Sequence, residues 1–192
     1  MALIDPNSVS IAMSQLAAAG VGGPSSVSLA TGLGLGITNC IRSWVITTVD
    51  VGTLGAGVGV SPVPPYLDTS LALGTVSGLL VANAIAGPSS VQLATAVANT
   101  ITLIVATATA TTVHTTVGVG SGPIVVAPTG AGISIMAASL ASSGLAGPST
   151  VNLSTAIGTA LDTLAASIVG AVVIAGPPSI VPSTGVGTGV FL

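Results

Sequence analysis

The sequence predicts an α+β fold of three tandem units, each an antiparallel helical hairpin followed by a β-strand and a Gly/Pro-rich loop, set about a pseudo-threefold axis. Three observations lead there. A Gly-Pro-Ser turn with an apolar ladder occurs three times, as Gly23-Pro24-Ser25-Ser26-Val27-Ser28-Leu29, Gly87-Pro88-Ser89-Ser90-Val91-Gln92-Leu93 and Gly147-Pro148-Ser149-Thr150-Val151-Asn152-Leu153. Its prolines lie 64 and 60 residues apart, which is the signature of a repeat of about sixty residues. Within each unit the apolar period changes from 3.6 to two, and a glycine-rich tract closes the unit. The units are residues 1–65, 66–129 and 130–192. A chain of about sixty residues is near the lower limit for an independent core, so the three should pack together. The end units of a linear stack need polar outer faces. Here the first and third units are as apolar as the second, which favours a ring.

In the first unit Pro6 stands where a helix begins, and Val9, Met13, Leu16 and Ala17 give it one apolar face. Gly20 to Gly23 stop it. Pro24 suits the first turn of the next helix, having a preset φ and no amide hydrogen to leave unpaired, and Ser25 or Ser26 can cap that helix. Leu16, Leu80 and Leu140 precede the three prolines by eight residues, and Val21, Ile85 and Leu145 by three. The second helix runs to about Trp44 through Gly32, Gly34 and Gly36. Each of these costs roughly 1 kcal/mol relative to alanine, so the helix is either broken there or pressed against a neighbour. Ala94, Ala96 and Ala98 in the second copy, and Ala156 and Ala160 in the third, favour close packing.

A strand is predicted over Val45 to Val51, and over the Thr/Ala alternation from Ala106 to Val117 in the second copy. In the third copy Ile168 to Ala175 is almost wholly apolar. The closing tracts are Gly52 to Gly59, Gly118 to Pro123, and Gly176 onward to the Val-Gly alternation ending in Phe191 and Leu192. That last segment is expected as an extended tail that orders on a neighbouring chain.

Charged residues make up 3% of the 192-residue chain, against roughly 25% in an average soluble domain. They are Asp5, Arg42, Asp50, Asp68 and Asp162. Such a surface does little to discourage association, so it is expected to be buried against other copies or other proteins. A net charge of −3 with one arginine excludes nucleic acid as partner, because several phosphates would need neutralising. Cys40 alone makes neither an internal disulfide nor a cysteine zinc site, and is read as a small buried thiol. The first residues lack a basic segment followed by an apolar run, so no signal peptide is expected. Val91 to Val113 is uncharged and long enough to span a bilayer. Its Thr, Asn and Ala give little insertion energy, and the matching stretch of the first unit carries Asn39 and Arg42, so a membrane is not the expected partner.

No enzyme is predicted. His114, the single imidazole, lies in a Thr-rich strand, with Asp50 at the matching place in the first unit and Ile174 in the third, and it has few ionisable residues to act with. The tracts Gly32 to Gly36 and Gly118 to Gly122 lack the Lys-Ser/Thr and the strand-to-helix setting of a phosphate loop. No catalytic, cofactor-binding or metal-ligating residue is assigned, and no cofactor is expected. The repeat turn, Gly23, Pro24, Ser25, Gly87, Pro88, Ser89, Gly147, Pro148 and Ser149, is the structural signature. Arg42, Trp44, Phe191 and Leu192 are the expected interface residues, Arg42 because a buried guanidinium needs a partner.

With its Ala-rich hairpins, Thr/Val strands and Gly-Thr-Gly-rich carboxyl end, the chain resembles small structural proteins of tailed-phage virions. The resemblance covers composition and layout, and no specific motif carries it. It implies a non-enzymatic assembly protein of a head, neck, tail or baseplate, made in the host cytoplasm. Such a protein would bind other copies of itself and other structural proteins through strands and extended loops. The alternative is a membrane-active or cell-surface fibre protein.

Overall fold

A computed structural model describes residues 4–42, 46–53, 56–60, 68–107, 109–114, 119–127, 130–167, 169–175 and 183–191, with side chains at 7–40, 68–104, 106 and 130–164. Its helices are α1 (Ile4–Ala18), α2 (Pro24–Arg42), α3 (Thr69–Ala82), α4 (Pro88–Thr107), α5 (Gly132–Ser142) and α6 (Pro148–Ser167). Each packs on its neighbours in sequence, and α6 packs on α1, so the helices close into a ring. The larger apolar cluster joins Leu33 and Ile37 of α2, Val76 and Leu80 of α3, Ile101 of α4, Met136 and Leu140 of α5, and Ile157 and Leu164 of α6. A smaller one, Ala12, Leu16, Ala30 and Ala156, seals α1 and α2 against α6.

Helix α2 runs unbroken through its three glycines, because they serve two neighbours. Residues two apart on a helix point about 200° apart. Gly34 faces α1, where a Cβ would stand 2.7 Å from Val9 Cα, while Gly32 and Gly36 face Leu80 and Val76 of α3. The third unit repeats the crossing, since a Cβ on Gly158 would lie 2.5 Å from Ile133 Cα. In the second unit that place is taken by the buried Ala98.

A hydrogen bond ties the far end of each hairpin, in three chemical versions at one repeat position. Thr38 Oγ1 donates to Ser8 Oγ at 2.7 Å. Thr102 Oγ1 accepts from Thr69 Oγ1 at 3.3 Å. Asp162 accepts from the Gly132 amide at 3.0 and 3.2 Å. Ser8 and Thr38 are fully buried, so each hydroxyl satisfies the other where water cannot.

The α+β class expected from sequence is corrected here. Of the residues whose side chains are described, 83% are helical and none lies in a strand, and both buried clusters consist of helix residues. The body whose side chains are described is an all-helical ring. Gly, Ala and Ser at the crossings let the helices approach until Leu, Ile and Val interlock, and the core of the residues whose side chains are described is filled in this way.

Six further segments are described by backbone alone: β1 (Ile46–Thr53), β2 (Ala56–Val60), β3 (Thr109–His114), β4 (Val119–Ala127), β5 (Val169–Ala175) and β6 (Ser183–Phe191). They pair antiparallel in chain order, with β6 returning to β1. One strand and a closing loop per unit is therefore also corrected, since β2 and β4 lie on tracts expected as loops. The carboxyl-terminal segment, expected to order on a neighbouring chain, pairs with β1 and β5 of its own. Alternation of period two suits these tracts to a strand, and pairing within the chain satisfies their backbone amides and carbonyls.

Candidate functional site

The three Gly-Pro-Ser turns lie together at one end of the ring. Each odd helix closes with the same C-terminal motif. Val21 N–H donates to Leu16 O and Gly20 N–H to Ala17 O, with counterparts Ile85 to Leu80 and Ala84 to Val81, then Leu145 to Leu140 and Gly144 to Ala141. This is the Schellman arrangement, whose outer residue also packs on the last turn of the helix. It accounts for the recurrence of Leu16, Leu80 and Leu140 with Val21, Ile85 and Leu145. The residue it holds in the left-handed region is Gly20 (φ 75°) or Gly144 (φ 81°), but Ala84 (φ 61°) in the second unit.

Gly23, Gly87 and Gly147 follow at φ 111°, 127° and 135°, values a side chain disfavours. Pro24, Pro88 and Pro148 then open the even helices. Ser25, Ser89 and Ser149 are exposed. The turn hydroxyl that bonds belongs to the next residue: Ser26, Ser90 and Thr150 each donate to the glycine carbonyl, at 2.6, 2.7 and 2.6 Å. The hydroxyl therefore tightens the turn and does not cap an amide, which differs from the capping role expected of Ser25 or Ser26. Around this end the exposed large apolar side chains are Val27, Val91 and Val151, at 52%, 56% and 66% exposure, and Val81 in the last turn of α3, at 57%. A groove of about 290 Å³ runs between the first and second tips, lined by Val21, Ser25, Leu29, Ile85, Ser89 and Leu93.

No family model, curated protein or solved structure matches this chain.

Of the expected interface residues, the backbone of Arg42 lies at the end of its helix away from these turns. Arg42 closes α2 and Phe191 closes β6, opposite Gly170, but their side chains, like Trp44 and Leu192, lie outside the described residues. The backbone of His114 pairs with Gly57, and that of Asp50 with Gly59 and Gly185. Among the described residues no group of three His, Cys, Asp or Glu could hold a metal, and no helix is long and apolar enough to cross a membrane. A second groove, of about 390 Å³, lies near the opposite end beside Thr69, Asn99, Thr102 and Ser139, all uncharged.

Among the described residues, two ionisable side chains have altered affinities for the proton. Cys40 is 1% exposed, and burial pushes its thiol up to about 12, so it is inert at neutral pH. Asp68 caps α3. The Ser70 hydroxyl, then the Ser70 and Leu71 amides, hold its carboxyl below the usual carboxylate range.

The exposure of the three valines is what sequence reasoning missed, because they sit within an apolar ladder that reads as a buried face. One signal marks them apart. Valine stands at all three places, while the next residue varies as Ser28, Gln92 and Asn152.

Proposed function

We propose that this chain is a non-enzymatic structural protein of a large particle, of the kind found in tailed-phage virions, and that it works by packing against copies of itself and other structural proteins. The observation that carries this reading is the lack of charge. A surface served by five charged residues in 192 offers little repulsion to its like and little hydration to hold it apart. The helical ring supports the reading, being a compact body whose described grooves are lined by apolar, hydroxyl and amide groups alone. The resemblance in composition and layout to virion proteins supplies the class of particle. Light scattering and electron microscopy of the expressed protein without detergent test it. Discrete symmetric particles or filaments are the expected result. A monodisperse monomer across the accessible concentration range would refute it.

A further inference from the structure

The two ends of the ring differ in charge. Asp5 lies in the first turn of α1, Asp68 caps α3, Asp162 ties α6 to the start of α5 and Arg42 closes α2, all at the end away from the turns. Asp50 and His114 lie in β1 and β3. No ionisable side chain other than Cys40 and Tyr66 interrupts residues 6–41, 51–67, 69–113 or 115–161. The turn end is thus neutral throughout, while the acidic groups of a chain with net charge −3 are held at the other.

On this neutral end the units have kept one exposed apolar residue and let other exposed positions drift. Met13, exposed on α1, is matched by Ser77 and Ala137, whereas Val27, Val91 and Val151 are the same residue three times over. An apolar side chain more than half exposed, retained in three copies amid changing neighbours, is the pattern of a covered contact.

The covering surface must present three apolar sites about a common axis and bring no charge that would be buried unpaired. The same end of a second molecule meets both conditions by construction, as an isologous contact. Pairing by the neutral ends also leaves the acidic groups of the two molecules at opposite extremes, where their repulsion is weakest. The groove between the first and second tips, with Leu29, Ile85 and Leu93 in its wall, gives a valine of the second copy an apolar seat. We infer that two copies of this chain meet end to end through their Gly-Pro-Ser turns, each covering Val27, Val91 and Val151 of the other. The inference deepens the assembly reading and rests on it.

Sedimentation of the full chain beside the triple variant V27D/V91D/V151D tests it. Aspartate near a helix N-terminus is favourable to the helix, so the fold is retained, as circular dichroism checks. The wild type is expected as a species of two copies or an even multiple, and the variant at half its mass or less with the same helical content. A folded variant that keeps the wild-type mass overturns the end-to-end contact and leaves the assembly reading standing. A wild-type monomer overturns both. A second measurement is independent of the triple variant's folding. Cys40 is buried, so an introduced thiol is the reactive one. A short bis-maleimide, which spans neighbouring sites of one contact, should convert V151C to a covalent dimer and leave M13C, on the outer side of α1, unlinked. Equal cross-linking of both, or of neither, overturns the contact.

Discussion

Replacing glycine by alanine should change stability in opposite directions at different helical sites of this one ring. At Gly74 and Gly78, exposed positions of α3, a Cβ meets nothing within 4 Å. Gly74→Ala and Gly78→Ala should therefore each stabilise by about 1 kcal/mol, the intrinsic gain of alanine in a helix. At Gly34 the added Cβ would stand 2.7 Å from Val9 Cα and 2.8 Å from Val9 N, and at Gly158 it would stand 2.5 Å from both Ile133 Cα and N. Those atoms are backbone and cannot rotate aside, so the helices must part. Overpacking costs about 1–3 kcal/mol; set against the gain in propensity, the upper part of that range leaves Gly34→Ala and Gly158→Ala less stable by about 1–2 kcal/mol. The assay is thermal and urea unfolding followed by far-ultraviolet circular dichroism, at one protein concentration because assembly raises apparent stability by mass action. For a chain of this size 1 kcal/mol moves Tm by roughly 2–4 °C. A rise for Gly34→Ala equal to that for Gly74→Ala would refute the close crossing of α1 and α2.

Three further outcomes are expected. Ala84→Gly should stabilise by roughly 0.5–1 kcal/mol, because Ala84 holds a left-handed conformation that Gly20 and Gly144 adopt freely; a lower Tm in the same melt would show that the Schellman turn needs the methyl group. Since Asp68 has a depressed folded value, its contribution is present above the ordinary value of 3.8 and is lost as pH falls through the folded value below it. Acid titration of stability should therefore show a shallower fall below pH 3.8 for Asp68→Asn than for wild type, and identical limbs would remove the cap from the account. Cys40 should resist alkylation at neutral pH until the protein unfolds. Stability should then fall from the free thiol value of 9.0 toward about 12, where the unfolded chain ionises and the native one does not; rapid native alkylation would contradict its burial.

The helical hairpins were legible wherever one residue type recurs for one reason. Leu16 with Val21 and its two counterparts, and the small residues spaced by two along α2, are patterns that sequence displays because the packing demand is the same in each unit. The ties at Thr38, Thr102 and Asp162 were not legible. The position recurs, but a hydroxyl donor, a hydroxyl acceptor and a carboxylate each solve it, and their partners lie some thirty residues away. In the sequence Asp68 reads as one charge among five and not as a cap, because nothing like it stands at the matching places, Ile4 and Pro128. The strands β2 and β4 were hidden by glycine, which permits both turn and extended backbone and so marks neither. The valines of the turns misled in a different way, since apolar periodicity shows which residues share a face and leaves open what meets that face.

The packing of α6 on α1 sets the order in which the protein can be made. Ala12, Leu16 and Ala30 belong to the first hairpin, yet Ala156 of the last completes their cluster. Until α6 has been synthesised, the first hairpin keeps that side open to water while the hairpins behind it accumulate. A row of repeats can begin to fold at any unit and frays from its ends; a ring has no end from which to begin or to fray. The entropy of closing so long a loop grows only slowly with its length, so closure adds little to the thermodynamic cost. Its effect is on timing: the last hairpin to emerge joins the first, and unfolding should then proceed as a single transition.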